Sequence, residues 1–400
     1  MLTVLAATVL PPTNHVNVVL RAIPLSPTST LSVAGWTVLG RRAATLDAMA
    51  VTEQQLREAL AGVIDPELKR PVTELDMVRG VRIAGDEVAV TIALTVAGCP
   101  LRHSFEEQVA RVLAPLGVTG TQVEFEVMTP DERAALTTKL RGGRPEKGIS
   151  LDPRTRVLAI ASGKGGVGKS TLTVNLAAAF VARGEQVGIL DADVYGHSIP
   201  HMLGIRQRPI VVDKMIVPPV KGDLKLMSIG FFLDENAPVM WRGPMLHRAL
   251  EQFLSDVHWG EVDTLLVDMP PGTGDVAISL GQLLPRAEVV VVTTPQPAAQ
   301  EVAVRAAGMA QRTGQRVIGV IENMAGDVFG SGGGEELAEK VGVPLLGSVA
   351  LDPRLRECAD AGEPLVDVEP ESETSRAIAD IAAALAATRR GIHTQLPVLS

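Results

Sequence analysis

Apolar and polar positions alternate along this chain in two rhythms, one of helices and one of strands. After Thr52, which forms a capping box with Gln55, Leu56, Ala59, Leu60 and Val63 recur at helical spacing. Asp65-Pro66-Glu67 ends that helix. The run Met77 to Ile83 and the alternating Val88, Val90, Ile92 and Leu94 predict two strands joined through Gly85-Asp86. Phe105, Val109, Val112 and Leu113 make one helical face, and Val123, Phe125 and Val127 alternate in a last strand. The order α-β-β-α-β predicts a small α+β domain over residues 49–128. Residues 129–152 read as a helical turn followed by Gly142-Gly143-Arg144-Pro145-Glu146-Lys147-Gly148, an exposed flexible linker.

From Pro153 to Thr388 short apolar runs alternate with helical stretches. Strands are expected at Val157–Ala161, Val187–Leu190, Leu224–Ile229, Thr264–Val267, Glu288–Thr293, Val317–Ile321 and Leu345–Gly347. This alternation predicts an α/β fold, a mostly parallel sheet flanked by helices, with residues 389–400 as a flexible tail. Leu246, Leu250, Phe253 and Leu254, following Trp241-Arg242, form the stripe of a packed amphipathic helix near a dimer or partner surface.

Residues 1–48 fit neither rhythm. They are rich in Thr, Pro, Val and Leu and hold no acidic residue before Asp47. A signal peptide needs a basic stretch ahead of its apolar core, and here the first basic residue is Arg21. Met49 stands just before a good helix start, so translation is expected to begin there.

Composition narrows the class. Of 400 residues 46% are hydrophobic and 21% charged, which describes a globular chain. A net charge of −9 argues against a surface that coats nucleic acid. Two cysteines, Cys99 and Cys358, are too few for a disulfide framework and suit a reducing cytoplasm. No apolar run approaches the roughly 20 residues that span a bilayer.

The chemistry is densest at Gly163-Lys164-Gly165-Gly166-Val167-Gly168-Lys169-Ser170. An apolar strand precedes it, and an Ala/Leu-rich helix from Thr171 to Arg183 follows, with Gly184 where a C-cap belongs. Strand, glycine loop and helix N-terminus together make a P-loop, with backbone N–H groups and the helix dipole favouring phosphate. Lys169 would reach the β/γ-phosphates of ATP and the Ser170 hydroxyl would ligate Mg²⁺. Asp268 closes a later apolar strand, as the second Mg²⁺-holding element of P-loop NTPases does, and Pro270-Pro271-Gly272-Thr273-Gly274 follows as a switch segment. Asp191 and Asp193 close the second strand, two carboxylates placed to serve Mg²⁺ and orient a water.

The loop GKGGVGKS resembles the deviant P-loop of the MinD/ParA/nitrogenase-iron-protein class. In that class the early lysine, here Lys164, reaches across a dimer to the partner's phosphates, which implies an ATP-governed homodimer. The resemblance assigns nucleotide contacts to Gly163 through Thr171 and to Asn323, the last through an amide contact to adenine. It assigns Asp193 to water activation and Asp191, with Ser170 and Asp268, to Mg²⁺; the reverse roles for the two aspartates stay open. Lys164, Lys169 and Asp193 are thus the catalytic set. More narrowly, Val187 to Pro200 (VGILDADVYGHSIP), Val239 to Met245 (VMWRGPM) and Leu265 to Asp275 (LLVDMPPGTGD) resemble the Mrp/ApbC/Nbp-type ATPases. These are iron–sulfur cluster carriers, so the resemblance implies a 4Fe–4S cluster as cargo and apo iron–sulfur proteins and scaffold proteins as partners.

The N-terminal Asp65-Pro66-Glu67 and Thr95-Val96-Ala97-Gly98-Cys99-Pro100 look like the small domain of SufT-type assembly factors. Cys99, at a strand end before a helix, is either a reactive thiolate or cluster ligand, or a small core cysteine. The chain departs from its relatives after Glu322-Asn323-Met324. Where they carry Cys-x-x-Cys, it reads Ala325-Gly326-Asp327-Val328-Phe329-Gly330-Ser331 without a cysteine. Cys358, in a helical stretch, reads as core packing. His197 and His201 share a helix-face spacing, but Ile199-Pro200 between them disfavours a metal site. Two further functions compete with cluster carriage. A MinD/ParA-like positioning switch wants a membrane-binding amphipathic C-terminus, whereas Arg376 to Arg390 is mostly Ala and Ile; a reductase like the nitrogenase iron protein wants cluster cysteines.

Overall fold

The structure, a computed structural model, describes residues 3–8, 19–24, 51–84, 87–96, 101–141, 149, 151–193, 196–232 and 243–388. Two compact units divide the chain, Met1–Ala50 and Val51–Ser400. Within the first, β1 (Thr3–Thr8) and β2 (Val19–Pro24) pair antiparallel.

The second unit begins with α1 (Glu53–Leu60), whose N-terminus is closed by the Thr52/Gln55 capping box. Next come β3 (Val78–Ala84), β4 (Glu87–Leu94), α2 (Arg102–Leu113) and β5 (Gly120–Val127). β4 lies in the middle of this sheet, antiparallel to β3 and parallel to β5. Its alternate residues Val88, Val90 and Ile92 are buried against Phe105, Val109 and Leu113 of α2. Cys99 and the Gly85-Asp86 turn lie outside the described residues.

The helical turn expected at the start of residues 129–152 is a twelve-residue helix, α3 (Pro130–Arg141), while the linker expected at Gly142 to Gly148 lies outside the described residues. Thr129 and Glu132 form a second capping box, the Thr129 N–H donating to the Glu132 carboxylate at 2.8 Å. Leu136 and Leu140 are buried on its inner side, and this apolar spacing turns a polar-looking segment into a packed element. The Thr137 hydroxyl donates to the Val212 carbonyl at 3.3 Å.

The larger sheet contains β6 (Arg156–Ser162), β7 (Val187–Asp191), β10 (Val220–Lys221), β11 (Leu224–Ser228), β12 (Thr264–Asp268), β13 (Glu288–Thr293), β14 (Arg316–Ala325) and β15 (Leu345–Ala350), in the order β10-β11-β7-β12-β6-β13-β14-β15. All pairings are parallel except β10 with β11. Two short strands, β8 (Ile210–Val212) and β9 (Met215–Val217), form a hairpin outside it. Buried Val212, Met215 and Val217 of that hairpin join the core of the small sheet, tying the N-terminal elements to the larger α/β portion.

The central strands are buried on both faces, as parallel strands covered by helices must be. One face holds α4 (Lys169–Ala182), α5 (Ile199–Met202), α10 (Pro353–Ala361), α11 (Leu365–Val368) and α12 (Glu373–Ala387); the other holds α6 (Gly243–Ser255), α7 (Asp275–Leu283), α8 (Pro297–Arg312) and α9 (Gly333–Val341). α4 is apolar nearly all round because the sheet lies on one side and α12 on the other. Leu246, Leu250, Phe253 and Leu254 of α6 are buried as their spacing predicts, while Trp241 and Arg242 lie outside the described residues. Cys358 is buried in α10 beside Leu355, and burial pushes its thiol pKa up, as core packing would.

Candidate functional site

The carboxyl end of β6, the middle of the large sheet, delivers the glycine loop to the N-terminus of α4. Residues 163–168 wrap that helix start, with Gly165 and Gly166 exposed and Val167 buried. Two glycines are required on steric grounds. A Cβ at Gly163 would stand 2.3 Å from the backbone of Val302 and Ala303 in α8. Gly168 has φ +81° and faces the Asn323 amide, whose Nδ2 would be 2.2 Å from an added Cβ. The Lys164 carbonyl accepts a bond from the Ser162 hydroxyl at 3.0 Å, fixing the loop's first turn while the Lys164 side chain is half-buried.

Lys169, Ser170, Asp193 and Asp268 lie together at this helix start. Lys169 is only 5% exposed; its Nζ lies 2.8 Å from Asp268 Oδ2 and 3.6 Å from Asp193 Oδ2. The Ser170 hydroxyl donates to Asp268 Oδ2 at 2.6 Å. β12 places Asp268 there because it lies between β6 and β7, in register with Ile160 on one side and Asp191 on the other. A buried carboxylate with a lysine and hydroxyl donors around it is a compensated charge.

Asp191 differs from Asp193 in its surroundings. It is fully buried, accepting from the Ser228 hydroxyl at 2.8 Å and from the Asp193 N–H at 3.3 Å. Burial, and then the neighbouring Asp268 charge, raise its pKa to about 8. Asp193 lies one step outward, 8% exposed, and accepts from the Gly196 N–H at 3.2 Å.

Asn323 is buried at the end of β14, where its Nδ2 donates to the Val167 carbonyl at 2.8 Å. It therefore braces the P-loop from a strand two positions away in the sheet. Met324 beside it takes φ +60°, a strained conformation for a side chain of this size, and turns the chain out of β14. The segment 325–330 follows directly, closed by mutual backbone bonds between Gly326 and Gly330, with Val328 exposed at its tip.

Two site residues escape sequence reasoning. The Thr173 hydroxyl, one turn into α4, donates to Asp268 Oδ1 at 2.9 Å, and Ser228 at the end of β11 holds Asp191. Thr173 stands one helical turn beyond Lys169, a spacing that could have suggested it; Ser228 reaches the site only through strand order. His201 lies in the short helix α5, and among the described residues no three His, Cys, Asp or Glu side chains gather as a metal site. Among the described residues no helix is long and apolar enough to cross a membrane.

Comparison with known proteins gives the chain's family. Residues 154–386 match the family model described as NUBPL iron-transfer P-loop NTPase, and residues 53–125 match the one described as iron–sulfur cluster assembly protein. The chain is 51% identical over 357 residues to the iron–sulfur cluster carrier protein of Mycobacterium tuberculosis, covering 84% of this chain and 94% of that one. It is 42% identical to the protein of the same name from Bacillus subtilis, covering 75% and 88%. Among solved structures, a nucleotide-binding protein from Archaeoglobus fulgidus in complex with ADP is 34% identical with a TM-score of 0.46, covering 58% of this chain and 93% of that one. The cell division ATPase MinD of Pyrococcus furiosus is 23% identical with a TM-score of 0.49, covering 58% and 98%.

Proposed function

This chain belongs to the NUBPL iron-transfer P-loop NTPase family, and from that premise we propose that it is an ATP-hydrolysing homodimer that carries iron–sulfur clusters to apoproteins in a reducing cytoplasm. The observation that carries the ATPase part is the convergence of Lys169, Ser170 and Thr173 on the single buried carboxylate of Asp268.

The residues act by position and charge, which is most of what phosphoryl transfer needs. Lys169 rests against Asp268 and Asp193; on nucleotide binding its ammonium exchanges these partners for the β/γ-phosphates. The freed Asp268 and the Ser170 hydroxyl are adjacent oxygen donors at a helix N-terminus, a set that fits Mg²⁺, which takes one or two protein oxygens and fills its shell with phosphates and water. That ion would supply charge neutralisation at the β/γ-phosphates. Asp193, the more outward aspartate, orients the attacking water, and Asp191 supports the Mg²⁺ side through its contact with the Asp193 N–H. Lys164 completes the partner's site across the dimer. The Asn323 Nδ2 bond to Val167 leaves its Oδ1 to accept from the amino group of adenine.

The cargo is carried by name and not by the loop after Asn323, whose residues offer no thiolate for a cluster. Cys99 of two protomers is the proposed alternative ligand set, since Cys358 is buried in α10. That same missing cysteine pair favours a second reading, an ATP-driven switch of the MinD/ParA type without cluster cargo. Anaerobic reconstitution with iron and sulfide, on the wild type and on Cys99→Ala, separates the two. Cluster absorbance that is lost in the variant and transferable to an apoprotein supports carriage; no absorbance in the wild type leaves the switch.

A further inference from the structure

At the end of the large sheet opposite the glycine loop lies a second cavity, of about 440 Å³. Lys225 enters it from the start of β11, where it pairs with Gly188, whereas Ser228 at the other end of the same strand holds Asp191. Lys69 and Arg70 come from the small N-terminal portion, and Arg141 from the last turn of α3. Asp223 and Glu261 are the two carboxylates of the lining.

Lys225 is the unusual member. It is 5% exposed, and among the described residues its Nζ has one acceptor, the Trp259 carbonyl at 2.8 Å, and no ion pair. An ammonium carries three donors, and burying one without a counter-charge is costly. The nearby carboxylate is already used: Lys69 lies 3.1 Å from Asp223. Burial and the repulsion of Lys69 lower the Lys225 pKa to about 8, the behaviour of an ammonium that lacks an anion. At neutral pH four cations therefore surround two carboxylates, an excess of two positive charges.

We propose that this cavity is a second ligand site, separate from the P-loop, which takes a phosphate dianion, free or as a monoester, between Lys225 and the guanidinium groups of Arg70 and Arg141. The dianion matches the charge excess, and arginine presents planar donor pairs that suit phosphate oxygens. Because the lining comes from both the small N-terminal portion and the ATPase sheet, an occupied site would tie the two together.

The test is calorimetric titration of the full-length chain with inorganic phosphate and, separately, with ribose 5-phosphate. Lys169→Ala supplies the background, so that the P-loop does not report. Saturable binding is expected, weakened about tenfold or more by adding Lys225→Met and also weakened by adding Arg141→Gln. Tighter binding of ribose 5-phosphate would identify a monoester, and equal binding would identify free phosphate. Lys225→Met removes a buried charge together with the donor of the Trp259 carbonyl, so its melting temperature is measured alongside binding; Arg141→Gln, in the cavity lining, leaves that bond intact and gives an independent variant. Absence of saturable heat, or equal affinity in all three proteins, would overturn the proposal.

Discussion

The Asn323 amide donates to the Val167 carbonyl at 2.8 Å, linking the end of β14 to the middle of the phosphate loop. Through this bond the glycine loop and the strand end that leads into the segment 325–330 share one buried side chain.

Removing that brace should weaken the loop. Asn323→Ala leaves the buried Val167 carbonyl without its donor, a loss of about 1–3 kcal/mol. The melting temperature should drop and ADP should bind less tightly by calorimetry. An unaltered ADP affinity would show that the loop keeps its form unaided. Gly168→Ala should be worse, because the added methyl meets the same amide at 2.2 Å and φ is +81°.

Lys164 is expected to act between protomers. Lys164→Ala should bind nucleotide as a monomer with little change yet fail to dimerise with ATP. Light scattering with and without ATP reads this directly, and unchanged dimerisation would refute the role.

Thr173 supplies a hydrogen bond to the Asp268 carboxylate at 2.9 Å. Thr173→Val keeps the shape and removes the donor, so kcat for ATP should fall about tenfold with KM nearly unchanged. Asp268→Asn, which also loses the partner of Lys169, should fall by about a hundredfold or more. Steady-state phosphate release checks both, and a Thr173→Val variant with full kcat would make that threonine merely structural.

The small N-terminal portion carries a pH signature at Asp65-Pro66-Glu67. Asp65 Oδ1 accepts the N–H groups of Glu67 and Leu68, each at 2.9 Å, and this turn half-buries Glu67. Burial, then the Asp65 charge, raise the Glu67 pKa from 4.5 to about 7. The folded chain holds this proton while the unfolded chain has released it. Stability from this group is therefore full below pH 4.5 and is lost as pH rises to about 7. Glu67→Gln, which stays neutral, should gain stability over the wild type across that window and keep a constant lead above it. Melting curves at several pH values measure the gap; a gap that does not grow with pH would count against a raised pKa.

The expected strands and helices of the large sheet were legible because each is a long, regular signal. Runs such as Val289-Val290-Val291-Val292 are buried on both faces and can only be central parallel strands. The P-loop was legible for another reason: its glycines answer local demands, a left-handed φ at Gly168 and close backbone approach at Gly163, that recur wherever phosphate meets a helix start. Helix α3 was legible only as a helical turn, since its charged surface outweighs two buried leucines in any local count.

By itself, then, the sequence determined the fold class, the phosphate loop with Lys169 and Ser170, and the carboxylates that end the strands, because each depends on neighbours within a few positions. Only the tertiary structure decided which aspartate is sealed and which is reachable. It also recruited Thr173 and Ser228, turned Asn323 onto the loop, and placed Lys225 in a cavity without an ion pair among the described residues. Those outcomes depend on strand order and on burial, which bring together residues up to 156 positions apart and set the cost of leaving a charge without a partner.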